Sequence, residues 1–308
     1  MHSSPPVDPP AHKAPRLLTQ VRDRIRYKHY SIRTEQAYVQ WIRRFIQFHG
    51  LRHPQELRAR DVTAFLTHLA VEGRVAAATQ NQAKSALLFL YREVLELTLP
   101  WLDDVESAKQ PQRLPVVLSV REMDALLRRL SGVTGLIGRL LYGTGMRLME
   151  AVRLRVKDVD FGRREIVVRQ GKGAKDRVTM LPDILAETLQ AHLGWVRAVH
   201  KEDLDQGGGD VYMPFALSRK YPAAAREWCW QYFFPAARIS QDPRSGIVRR
   251  HHIDEQLVQR AVRQAAFDAG IPKPVSPHAL HHYAEFPTMP SPRVCVFEHA
   301  RLARSGSA

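Results

Sequence analysis

Cysteine is almost absent from this chain: Cys229 and Cys295 are the only two among 308 residues, and they form no CxxC pair. That excludes a disulfide-built scaffold and a thiolate zinc site, and it fits a reducing cytoplasm. Long apolar runs are missing as well. No stretch reaches the roughly 18 apolar residues of a membrane span. Residues 1–15, rich in Pro, Ser and His, hold no apolar segment of the signal-peptide type, so a disordered tail is expected there. Acidic residues are scarce beside basic ones: 31 Asp and Glu face 46 Lys and Arg, a formal net charge of +15. Such a balance attracts a polyanion, because neutralising phosphates releases condensed counterions. The basic residues are spread along the chain rather than gathered on one amphipathic helix, which favours nucleic acid over a membrane surface.

Apolar residues recur at helical spacing from Leu17 to about Pro100. Leu18, Val21 and Ile25 form one stripe, Tyr38, Trp41, Ile42 and Phe45 a second, Val62, Phe65, Leu66 and Leu69 a third, and Leu87, Leu90, Tyr91 and Val94 a fourth. Four helices in a compact bundle over 16–100 are predicted, with Gly50 and Gly73 placed to close the second and third in a positive-φ conformation. The periodicity then fails over 101–118, where charges and prolines mark an interdomain linker. A second domain over 119–284 is expected to start with Ser119 and Glu122 as a capping box, followed by a helix from about Leu136 to Leu141. Glu165 to Arg169 and Arg177 to Leu181 read as two strands joined by QGKGAKD, a hairpin with a basic tip. Helical spacing returns at Ile184 to Leu189 and from Ile253 through Ala266, so the second domain is mainly α with a small antiparallel sheet.

Three elements carry chemistry. In GTGMRLMEAVRLRVKDVD, Arg147 follows a glycine turn and opens an amphipathic helix, where its guanidinium could meet a phosphate; the bland alternative is an ion pair with Glu150 on a solvated face. Lys172 and Lys175 sit at the hairpin tip with Arg177 just beyond, and a lysine there can reach a DNA groove or donate a proton; a solvated basic turn is the alternative. The third is SPHALHH, Ser276 to His282.

In this order the three elements resemble the tyrosine recombinase family, whose catalytic domain carries an arginine in a G-x-R-x-x-E setting, a lysine on a β-hairpin and a His-x-x-Arg box. The resemblance spans about Leu17 to His282. The stretch GGGDVYMPFALSRKYPAAAREWCWQYFFPA and the DPRSGIVRRHHIDEQ after it resemble the extra segment of integron integrases, here an insertion over about 195–250. The resemblance implies a SAM-like core-binding domain, a mixed α/β catalytic domain, and site-specific DNA recombination and integration without metal or cofactor. A tyrosine attacks a backbone phosphate and leaves a 3′-phosphotyrosyl bond, so the bond energy is conserved. It further implies duplex DNA and folded single-strand hairpin sites as partners, and a tetramer of the chain on DNA. Residue by residue, Arg147 matches the first arginine, Lys172 the lysine and His278 the histidine of the box.

Two departures stand beside these matches. The second arginine's position is held by His281, which presents at most one charge and has an unperturbed pKa of roughly 6.5. Losing a transition-state donor of that kind costs about 2.7–4 kcal/mol. After Tyr283 no tyrosine follows, and Pro287, Pro290 and Pro292 stand where the family has a helix leading to its nucleophile. The catalytic domain therefore reads as incomplete, 285–308 as a non-family tail of the kind a frameshift after Leu280 produces, and the chain as catalytically defective, with a DNA-binding remnant as the alternative reading. Trp228, Trp230, Tyr232, Phe233 and Phe234 lie among Arg219, Lys220, Arg226 and Arg238, a composition suited to stacking on unpaired bases, with Phe233 and Phe234 expected in the core. Arg43, Arg44, Lys84 and Arg92 are candidates for DNA backbone contact in the helical domain, and Arg249 and Arg250 in the second. His251 and His252 lack Cys or carboxylate partners at ligand spacing and are not read as a metal site.

Overall fold

The computed structural model describes residues 16–97, 108–109, 116–169 and 176–283. The chain forms two units, 1–113 and 114–308. The expected tails, most of the expected linker, and the hairpin tip with Lys172 and Lys175 lie outside the described residues. None of the described helices is long and apolar enough to cross a membrane.

The four expected helices of the first unit are α1 (Leu17–Tyr27), α2 (Ile32–Phe48), α3 (Ala59–Val71) and α4 (Ala77–Phe89). Ser31 caps α2 by accepting the Thr34 N–H, and the Asp61 carboxylate in the first turn of α3 accepts the Arg58 N–H. The predicted stripes meet in two apolar clusters. Trp41, Phe45, Phe65, Leu69, Leu87 and Tyr91 fill one, and Val21, Ile25, Ile42, Phe89 and Leu90 the other. The fourth stripe runs past the end of α4 because the chain widens into a π-helical turn over Leu90–Val94, where the Leu95 N–H reaches back to the Leu90 carbonyl. That turn buries Tyr91, whose hydroxyl donates to the Pro54 carbonyl at 3.0 Å.

Gly50 has the expected positive φ of 65°, but Gly73 does not; the left-handed residue after α3 is Arg74, at φ 44°. Glycine is needed at 73 for another reason. A Cβ there would lie 2.8 Å from the Leu69 carbonyl oxygen, against which the chain turns.

The second unit opens with the expected capping box, Ser119 and Glu122 exchanging hydrogen bonds at the start of α5 (Val120–Arg129). Next come α6 (Gly132–Thr144), which is longer than expected and buried through its middle from Gly135 to Tyr142 save Arg139, and the short α7 (Leu148–Val152). Strands β1 (Val159–Asp160), β2 (Glu165–Val168) and β3 (Arg177–Met180) form an antiparallel sheet in that order, with Ile166 opposite Thr179. The helical spacing at 184–189 belongs to the 23-residue α8 (Asp183–Asp205). After it come α9 (Phe215–Lys220), two 3-10 turns, and a ladder of β4 (Ser240–Gln241) with β5 (Val248–Arg249) that no alternation in the sequence announces. The unit's described part ends with α10 (Glu255–Asp268), capped by Asp254, and α11 (Pro277–Tyr283). Its single core gathers apolar residues of α5, α6, α8, α10 and α11 around Phe233 and Phe234, both fully buried, as the sequence reading expected.

Candidate functional site

The centre of the second unit's chemistry is the turn between α6 and α7. Gly145 ends α6 at φ 66°, a conformation that side chains disfavour, and this reverses the chain so that Arg147 becomes the N-cap of α7. Met146 between them is fully buried and pins the turn to the core. Arg147 is held from below by Glu150, three residues on: the Arg147 N–H donates to Oε2 at 2.8 Å and its guanidinium to Oε1 at 3.1 Å. The pair foreseen as the bland alternative therefore exists, but not on a solvated face, since the Glu150 side chain is 7% exposed while that of Arg147 is 38% exposed.

Glu150 has a second arginine on it. Arg177, the first residue of β3, donates to both carboxylate oxygens, at 3.0 and 2.7 Å. Burial opposes the Glu150 charge, yet the hydrogen bonds from Arg177 and from the Arg147 backbone outweigh it and bring the carboxyl down to about 2. Sequence reasoning placed Arg177 only as a neighbour of the basic tip. Nothing local in the sequence couples positions 27 residues apart.

The His-x-x-His box enters from α11. His281 is buried and its Nδ1–H donates to the Gly145 carbonyl, so α11 docks on the very turn that presents Arg147. His278, one helical turn earlier, is exposed, and its ring stacks on that of His281 with centroids 5.5 Å apart. Arg147, His278 and His281 are thus grouped by one turn and one short helix. Lys172 and Lys175 lie outside the described residues; β2 and β3, the strands on either side, are described, and β3 is tied to Arg147 through Glu150.

The residues around 228–252 form a second grouping, also in this unit. Arg155, which the sequence did not single out, lies under Tyr232 with its guanidinium 3.6 Å from the ring centre and donates to the Trp230 and Tyr212 carbonyls. Burial pushes its pKa down. Trp230 and Trp228 are half-buried; Lys157 sits over the first, 2.8 Å from its centre, and Arg197 over the second at 4.8 Å. Arg219, Lys220, Arg226 and Arg238 are exposed.

Arg249 and Arg250 differ from the phosphate-contact expectation, because their guanidinium groups turn into the fold. Arg250 grips Asp203 through two hydrogen bonds of 2.5 and 2.6 Å and donates to the Ala236 carbonyl, while Arg249 pairs with Asp242 at 3.2 Å. Their side chains are only 13% and 10% exposed. In the first unit, Arg43 and Arg44 are exposed on α2, with Arg44 over the Trp41 ring; Lys84 is half-exposed on α4, and Arg92 is exposed in the π-helical turn. Among the described residues no group of His, Cys, Asp and Glu side chains has the arrangement of a metal site.

Residues 17–101 match the N-terminal SAM-like domain of phage integrases, and residues 117–286 match the phage integrase family. An integrase/recombinase of Escherichia coli is 50% identical over 273 residues, which is 89% of this chain and 81% of the relative, and one of Pseudomonas aeruginosa is similar to the same extent. Among solved structures, the chain is similar to a lambda integrase(75-356) dimer bound to a COC' core site, with a TM-score of 0.55 at 17% identity over 87% of this chain and 86% of that one. That last likeness is one of fold.

Proposed function

The chain belongs to the phage integrase family of tyrosine recombinases, and on that premise we propose that it is an integron-integrase-type protein that occupies recombination sites and is defective in strand cleavage. The observation that carries this reading is the turn at Gly145, where Arg147 is presented beside His278 while His281 takes the place of the second arginine. Arg147 holds a non-bridging phosphate oxygen, Lys172 delivers a proton toward the leaving oxygen, and His278 assists on the same phosphate. With His281 in place of a guanidinium fork, binding survives while a stabiliser of the charge that develops during covalent attack is lost.

The helical unit supplies the core-binding surface, with Arg43, Arg44, Lys84 and Arg92 on the DNA backbone. The region of about 195–250 supplies an insertion whose Trp228 and Trp230, with Arg219 and Lys220, meet bases extruded from a folded single-strand hairpin, and Lys175 adds a further DNA contact. A tetramer on DNA is the working assembly; a related solved structure is a lambda integrase tetramer bound to a Holliday junction.

The test is a labelled, nicked hairpin substrate whose cleavage traps a phosphotyrosyl adduct, scored for complexes that survive SDS. The expected result is a salt-sensitive shift on a native gel with no SDS-resistant adduct. An adduct would show that cleavage proceeds with His281 in the second arginine's place, with Tyr283 the first residue to replace. No shift at any ionic strength would end the site-binding reading.

A further inference from the structure

The Glu150 carboxylate accepts four hydrogen bonds, about as many as its lone pairs allow. Two come from Arg147, one through the backbone and one through the side chain, and two come from the fork of Arg177. Arg147 by itself gives each carboxylate oxygen one hydrogen bond, only one of the two coming from its side chain. The planar fork of Arg177 fixes both oxygens at once, because a bidentate guanidinium defines the plane of the carboxylate it holds. Arg177 also opens β3 and pairs in register with Val168 of β2, so the same fork fastens the base of the lysine hairpin to the α6–α7 turn.

We propose that Arg177 is a positioning residue: through the shared carboxylate of Glu150 it holds the Arg147 guanidinium in its phosphate-facing pose and joins that arginine to the β2–β3 pair. The inference deepens the reading of Arg147 as a phosphate ligand, and rests on it for its consequence in DNA binding. The pose itself is a property of the free protein and can be measured without DNA.

The experiment is a double-mutant cycle on the full chain, read in protein labelled at arginine and glutamate for nuclear magnetic resonance and, separately, by affinity for a short DNA duplex. Arg177→Gln is expected to speed hydrogen exchange of the Arg147 guanidinium severalfold, and to raise the Glu150 carboxyl titration from about 2 toward its ordinary range. It is also expected to weaken duplex binding. Adding Arg177→Gln to Glu150→Gln should change Arg147 exchange and binding no further, since the two act through one carboxylate. Arg177→Lys, which keeps the charge without the fork, should recover part of each effect.

An unchanged Arg147 exchange rate in Arg177→Gln, with the circular dichroism of the parent, overturns the proposal; so does additivity in the cycle. Should Arg177→Gln fail to fold, Arg177→Lys decides by the same exchange measurement. Duplex binding that ignores Arg147→Ala would instead sink the phosphate reading and leave the exchange result to judge the positioning.

Discussion

Of the arginines that buried carboxylates hold in the second unit, Arg250 and Arg147 do different things. Arg250 is closed on Asp203 and the Ala236 carbonyl with 13% of its side chain exposed, whereas Arg147 rests on Glu150 with 38% exposed. The carboxylates are alike in burial, at 4% and 7%. What separates the sites is who else holds the acid. Asp203 has one arginine bonded to both its oxygens, so that arginine must face it squarely. Glu150 is shared: the fork of Arg177 takes both oxygens, and the Arg147 guanidinium leans on one of them and shows its other edge to solvent. A carboxylate with a second owner turns an arginine from a structural cation into a presentable one.

The largest effect that would break this comparison is on stability. Arg250→Ala strands a buried Asp203 charge and should cost about 3–5 kcal/mol. Arg147→Ala should cost about 1 kcal/mol or less, because Arg177 still neutralises Glu150. Denaturant midpoints of the two variants measure the difference, and equal losses would show that the two pairs are the same kind of interaction.

A second test uses acidity. The Glu150 carboxyl lies below its ordinary range in the folded chain, so its contribution to stability is fully present above the unfolded value of roughly 4.3 and is lost as pH falls through about 2. Thermal unfolding followed between those limits should show stability falling with pH in the parent, and a visibly flatter profile in Glu150→Gln. A parent profile with no more slope than the variant would mean that the four hydrogen bonds do not favour the charged acid.

The smallest effect concerns a cation that lies on an aromatic ring. Lys157 lies over the Trp230 ring, and Trp230→Ala should weaken binding of unpaired DNA by about 1–3 kcal/mol while leaving duplex affinity in place. Filter binding with single-stranded and duplex oligonucleotides separates the two; equal losses on both would assign Trp230 to the fold alone.

The bundle was legible in the sequence because its helices are amphipathic, and each stripe of three or four apolar residues announces its own buried face. The capping box at Ser119 and the strands flanking 170–175 were legible for the same local reason. Arg147 and His278 could be found because a turn, a helix start and a motif lie within a few residues of one another. The partnership of Glu150 with Arg177, the stacking of Arg155 under Tyr232 and the Arg250–Asp203 pair join positions 27, 77 and 47 residues apart, and composition carries no trace of such pairings. Adjacent arginines at 249 and 250 look like a basic patch in one dimension; only the fold shows acids waiting for both.

His281 carries one more consequence. A carbonyl oxygen can only accept, so the hydrogen bond to Gly145 places a proton on Nδ1, and in the uncharged ring Nε2 then bears a lone pair. An arginine at that corner would offer donors alone. This imidazole offers an acceptor at Nε2, so the partner it selects is one that brings a hydrogen. Where the family resemblance places a permanent charge, this corner asks its partner for a donor instead.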